Sequence, residues 1–184
     1  MNIENTLNYG IGILKANKIP NPYLDSEILL SESIKKDKKH IILNSKEILS
    51  RKQLDSFNDF IERRKKGEPI AYLIKKKEFW KDEFYISKDV LIPRPDTELI
   101  VEQVLKIYSK ESRLRVLDIG TGSGCILLSI LKERLNFYGT GIDISKKSIN
   151  VSKFNADKLH LTNRTKFIHS SVDNFKIGKY DLVV

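Results

Sequence analysis

The run Val116-Leu117-Asp118-Ile119-Gly120-Thr121-Gly122-Ser123-Gly124, near the middle of the chain, restricts the fold more than any other stretch. Its apolar first half reads as a buried strand, three glycines follow at alternate positions, and residues 126–135 read as a helix. Glycines in such a turn let the backbone reverse sharply and approach a ligand without Cβ contacts. The helix start adds unpaired N–H groups and the positive end of a dipole. In open α/β sheets, ligands bind at turns of this kind, beyond the carboxyl ends of the strands.

The pattern continues downstream as strand 137–142 closed by Asp143, helix 147–161, strand 165–169 and the start of a fourth strand at 180–184. Successive β-α-β units predict a parallel, doubly wound sheet of the Rossmann-like type. Asp143 ends the second strand, where it can accept hydrogen bonds from ribose hydroxyls. A dinucleotide fingerprint needs G-x-G-x-x-G, and Cys125 stands at the third glycine position. No G-x-x-x-x-G-K-[ST] phosphate loop is present either. The run therefore suits S-adenosylmethionine, which carries adenine and ribose but no phosphates. An NAD-dependent dehydrogenase ranks well behind. Gly10-Ile11-Gly12 has no preceding strand and reads as a weak place in a helix.

Upstream the texture is helical. Ile3, Leu7, Ile11 and Leu14 recur at helical spacing, and Pro22 opens a second helix with Asn21 as its cap. Ser50 and Gln53 form a capping-box pair before the stripe Leu54, Phe57, Phe60, Ile61. The charge runs at 35–39 and 63–66 read as solvated helix ends. Residues 1–70 are thus expected to form a small helical bundle. Residues 71–95 are expected to form a joint, with an aromatic β-hairpin turning at Lys81-Asp82 and a rigid double-proline segment. Residues 96–184 are expected to be the front part of the α/β domain, which breaks off in an apolar strand, so the chain reads as part of a longer protein.

Composition narrows the classes further. Lys and Arg number 33 against 24 Asp and Glu, a net charge of +9. The excess is spread along the chain, which favours a soluble basic surface over one nucleic-acid patch. A single cysteine excludes a disulfide scaffold or a Cys-rich zinc site. His40, His160 and His169 lack metal-ligand spacing. No apolar run approaches the roughly 20 residues of a membrane span, and no secretory signal is visible, so the cytoplasm is expected.

Several motifs together resemble the peptide chain release factor glutamine methyltransferases of the PrmC/HemK type. They are the helical first domain, Gly67-Glu68-Pro69-Ile70-Ala71-Tyr72, the hairpin, Leu91-Ile92-Pro93-Arg94-Pro95-Asp96-Thr97-Glu98, the glycine run, and Tyr180-Asp181-Leu182-Val183-Val184. The glycine run alone indicates a class I methyltransferase. The segment 93–98 is the specific part, and it favours this family over the ribosomal-protein glutamine methyltransferases.

The resemblance implies methyl transfer from S-adenosylmethionine to the glutamine amide nitrogen in the Gly-Gly-Gln motif of a release factor. The helical domain would recognise the factor. The enzyme would be monomeric, without need of nucleic acid, membrane or metal. Gly120, Thr121, Gly122, Ser123 and Gly124 would line the methionine and ribose part of the cofactor, with Asp143 on the ribose. The family's adenine-side positions fall at Ser171 and Val172, with Asp173 one place beyond, so Val172 and Asp173 are the candidates. Pro93, Arg94, Pro95, Thr97 and Glu98 would border the substrate cleft. The family's Asn-Pro-Pro-Tyr motif, which grips the substrate amide, is expected beyond Val184, leaving no catalytic residue in this stretch and the fragment itself inactive. Two other readings stay open: an amino-group methyltransferase acting on DNA or RNA adenine, and a non-enzymatic basic binding module.

Overall fold

The computed structural model describes residues 1–184, which divide into two compact units, Met1–Ile74 and Lys75–Val184. The first holds five helices. In α1 (Ile3–Ala16), Asn2 caps the start, its side chain accepting the Asn5 N–H at 2.8 Å. In α2 (Pro22–Ile34), proline takes the first position, and Asn21 sits at the cap but makes no capping bond. The charge run after it is more than a solvated end. Lys35 turns the chain in the left-handed region, and Asp37 caps a further helix, α3 (Lys38–Leu43). The expected capping box of Ser50 and Gln53 opens α4 (Arg51–Arg64). Residues 71–74, read as the start of the joint, instead belong with Ile70 to a last helix, α5 (Ile70–Ile74).

The core of this unit is apolar, with Ile3, Leu14, Leu29, Leu30, Phe57 and Ile61 all buried. Ion pairs lie at its margin, two of them made by adjacent arginines. Arg64 Nε donates to the buried Asp25 at 2.8 Å. Arg63 forks onto Glu68 at 3.0 and 2.8 Å, which holds its guanidinium pKa above the usual arginine value.

The second unit begins with the hairpin of β1 (Lys76–Phe79) and β2 (Asp82–Tyr85). Phe79 pairs with Asp82, so the turn is Trp80-Lys81, one residue earlier than the sequence suggested. Trp80 adopts a left-handed φ of 58°, and its N–H donates to Glu98 at 2.8 Å. Phe79 and Phe84 meet edge to face beneath the hairpin, 6.2 Å apart. The hairpin is no free joint. Lys158 binds the Glu83 carbonyl, Lys132 pairs with Asp82, and the Trp80 indole donates to Glu133 at 2.9 Å.

After a 3-10 turn at Pro95–Thr97 come α6 (Glu98–Ile107), β3 (Arg115–Ile119) and α7 (Cys125–Glu133). They are followed by β4 (Tyr138–Asp143), α8 (Lys146–Lys158), β5 (Thr165–His169) and the short β6 (Leu182–Val183). The last four strands form one parallel sheet in the order β5-β4-β3-β6. Chain order therefore reverses at β3, and such a switch point opens a crevice at the strands' carboxyl ends. Two arginines close helix ends away from that crevice. Arg134 donates to the Tyr108 carbonyl behind α6, and Arg164 donates to the Leu131 and Arg134 carbonyls behind α7. Burial pushes the Arg164 pKa down. No helix is long and apolar enough to cross a membrane.

Candidate functional site

The glycine loop leaves β3 at the switch point, and Gly120, Gly122 and Gly124 all have positive φ, at 76°, 54° and 80°. A side chain at these three places would strain the backbone. A Cβ on Gly120 would meet nothing within 4 Å, so the loop faces open space there. The loop is nonetheless pinned. The Gly120 and Thr121 N–H groups both donate to the Ile142 carbonyl, and the Gly124 N–H donates to the Thr121 carbonyl at 2.7 Å. Gly124 opens α7 directly, so the helix N-terminus points into the same space.

Asp143 closes β4 beside the loop. One oxygen accepts the Gly122 N–H at 3.0 Å and the other accepts the Ser145 N–H at 2.8 Å. An ionised carboxylate has about four lone-pair sites, so roughly half remain for a ligand. The carboxylate thus fixes the loop and can still grip hydroxyls.

Two residues without a role of their own in the sequence reading, Asp118 within the run and Asn155 outside it, complete the support. Asp118, at the end of β3, is buried and accepts the Thr121 hydroxyl at 2.7 Å. Burial, and secondarily the charge of Asp143, pushes its pKa up to about 6 against the Thr121 bond. Asn155, fully buried on α8, donates to the Ser123 carbonyl at 2.9 Å and exchanges two hydrogen bonds with the Tyr85 backbone. The available signal was positional. Asn155 continues the buried stripe Ser148, Val151, Ser152 of α8, where a polar side chain must find partners. Cys125 is also buried, and desolvation raises its thiol pKa to about 11, so it packs as a small apolar residue.

Next to Asp143 lies a shallow depression of about 390 Å³ lined by Ile144, His169, Ser170, Ser171 and Asn174. Ile144 presents an exposed apolar face. The Ser170 N–H holds the Asp143 carbonyl at 3.0 Å, joining the ends of β4 and β5. Val172 and Asp173 are exposed in the turn just beyond and do not line the depression, whereas Ser171 does.

The double-proline segment is tethered to the same helix end. Ser148, in the first turn of α8, donates to the Asp89 carbonyl at 2.9 Å. From there Pro93 is buried, Arg94 and Pro95 are exposed, and Thr97 and Glu98 are half-buried at the start of α6. Glu98 is engaged by the Trp80 N–H, so its carboxylate holds the hairpin turn.

A parallel sheet with this loop, and an acidic residue closing the neighbouring strand, defines the α/β fold of the class I methyltransferases. A family model described as a methyltransferase domain matches residues 110–184, and one described as the PrmC N-terminal domain matches residues 5–74. The release factor glutamine methyltransferase of Buchnera aphidicola subsp. Baizongia pistaciae is 42% identical, over 100% of this chain and 66% of its own length. That of Caulobacter vibrioides is 37% identical, over 93% of this chain and 60% of its own. A bifunctional methyltransferase of Rickettsia bellii is 36% identical, over 99% of this chain and 38% of its own. Among solved structures, a SAM-dependent methyltransferase from Thiobacillus denitrificans in complex with S-adenosyl-L-homocysteine is 29% identical, with a TM-score of 0.36 over 50% of this chain and 42% of that one. The chain belongs to the release factor glutamine methyltransferase family, and it spans about two thirds of the Buchnera relative.

Proposed function

We propose that the second unit binds S-adenosylmethionine and serves methyl transfer to the glutamine amide nitrogen in the Gly-Gly-Gln motif of a peptide chain release factor. The observation that carries the cofactor half is the grip of Asp143 on the Gly122 N–H. It holds an open, positive-φ loop beside a carboxylate with lone pairs to spare. Family membership supports the substrate half. On this reading the release factor is the only partner, neither nucleic acid nor metal takes part, and the protein works as a monomer in the cytoplasm.

The residues fit the cofactor in parts. The space above Gly120 accommodates its methionine and ribose, and the free lone pairs of Asp143 accept ribose hydroxyls. Ile144 offers an apolar face to adenine, while Ser170, Ser171 and Asn174 supply polar groups for its edge. Bound there, S-adenosylmethionine supplies a methyl group activated on a sulfonium. An amide nitrogen is a weak nucleophile, so rate depends on alignment and on exclusion of water. Residues 93–98 are the candidates to border that substrate space.

Calorimetric titration of the chain with S-adenosylmethionine should show binding, and NAD should show none. Asp143→Ala should weaken the affinity by roughly 30-fold, about 2 kcal/mol for hydrogen bonds to a charged group. Unchanged affinity would remove Asp143 from the site. In a protein of the relatives' full length, methyl label from the cofactor should appear on the release factor's glutamine. Label on DNA or RNA adenine, with the factor left bare, would overturn the substrate assignment.

A further inference from the structure

The hairpin is more than a connection, because its bonds run to the cofactor loop through one side chain. Asn155 is fully buried between β2 and the loop. Its Oδ1 accepts the Tyr85 N–H at 2.8 Å, and its Nδ2 donates to the Tyr85 carbonyl at 3.0 Å and the Ser123 carbonyl at 2.9 Å. The amide's two donors and its oxygen are all used.

The Ser123 carbonyl and the Gly124 N–H belong to one rigid peptide plane. Asn155 fixes one edge of that plane, and the Thr121 carbonyl fixes the other at 2.7 Å. Asp143 holds the peptide plane two steps earlier through the Gly122 N–H. Asp143 on β4 and Asn155 on α8, together with Asp118 of β3 on the Thr121 hydroxyl, thus set the orientation of a loop whose residues, largely glycine, carry little conformational preference of their own.

We propose that Asn155 is a positioning residue for the cofactor site, orienting the Ser123–Gly124 peptide from its seat on the Tyr85 backbone. This rests on the reading that the loop binds S-adenosylmethionine. Tyr85 provides the anchor. Its ring packs on Phe154 of α8, 4.8 Å between centroids, and Lys158 holds Glu83 one turn further along the helix. The partner of Asn155 is backbone on both sides, so a side chain of different length or charge cannot replace it.

The test compares Asn155→Ala and Asn155→Asp with Trp80→Phe, which loosens the hairpin at Glu133 without touching the loop. Titration of the 184-residue chain with S-adenosylhomocysteine is paired with amide hydrogen exchange over residues 120–124 in the absence of ligand. Both Asn155 variants should weaken binding about tenfold or more and speed exchange in the loop. Trp80→Phe should lower the melting temperature while changing neither readout. If Asn155→Ala does not fold, the isosteric Asn155→Asp decides. Equal behaviour of the Asn155 and Trp80 variants in affinity and loop exchange would overturn the proposal, reducing Asn155 to a packing contact. Failure of the unsubstituted chain to bind S-adenosylhomocysteine would instead refute the cofactor reading, and the loop exchange would still decide whether Asn155 positions the loop.

Discussion

In the helical unit, Gly10 and Gly12 sit inside α1 with helical neighbours on either side. In the second unit, Gly120 and Gly122 have the same spacing but positive φ and a strand before them. The first pair serves packing. A Cβ at Gly10 would lie 2.6 Å from Phe57 Cζ, so the glycine lets α4 approach α1. The second pair shapes a backbone surface facing open space. Buried and half-buried polar groups divide in the same way. In the helical unit Asp25 and Arg64 satisfy each other, whereas Asp118, Thr121, Asp143 and Asn155 gather at the carboxyl ends of β3 and β4 and hold a loop. A spacing acquires its meaning from the element that carries it.

The sharpest way to break this contrast is to remove one partner of the closed pair. Arg64→Ala strands a buried Asp25 carboxylate, which costs about 3–5 kcal/mol when no water or cation replaces the lost partner. Urea unfolding followed by far-UV circular dichroism should show that loss, with S-adenosylhomocysteine affinity unchanged. A loss below about 1 kcal/mol would mean the pair behaves as an exposed one.

Asp118 offers the corresponding test in the second unit. Its folded pKa of about 6 exceeds its ordinary 3.8, so the folded state holds a proton that the unfolded state has released. Its contribution to stability is therefore present below about pH 4 and lost as pH rises through about 6. The difference of roughly two units corresponds to about 3 kcal/mol. Asp118→Asn keeps an acceptor for the Thr121 hydroxyl but cannot ionise. The variant should flatten the stability profile between pH 4 and 6 and be the more stable protein at pH 7. A profile identical to that of the unsubstituted protein would show that Asp118 ionises freely where it lies.

Much of this second unit was readable because its local signals agree. The bounds expected for β5 are those observed, the apolar start of the glycine run is a strand, and the run and Asp143 meet as their spacing implied. What escaped reading depends on contacts between distant segments. Asn155 lies 70 residues from Tyr85, and on a helix by itself an asparagine reads as solvated. The burial of Asp118 appears only once α7 and β4 cover the end of β3. The hairpin turn slipped by one residue because Trp80 takes a left-handed φ, which a bulky aromatic adopts only under outside constraint. Glu98, on the next helix, supplies that constraint through the Trp80 N–H. In the helical unit α3 was hidden by its charge, since four lysines surround the Asp37 that caps it.

The smallest expected effects return to the glycine pair. Gly12 lies exposed in α1, and a methyl group added there would meet nothing within 4 Å. Gly12→Ala should therefore stabilise the helical unit by about 0.5–1 kcal/mol through helix propensity. Gly10→Ala gains the same propensity but drives its methyl into Phe57 and Ile61, and overpacking of this kind costs about 1–3 kcal/mol. The two substitutions, two residues apart on one helix, should move the urea midpoint in opposite directions. Neither should alter S-adenosylhomocysteine binding. Should both stabilise, Phe57 must have room to withdraw, and the close approach of α4 to α1 would not be what requires glycine at position 10.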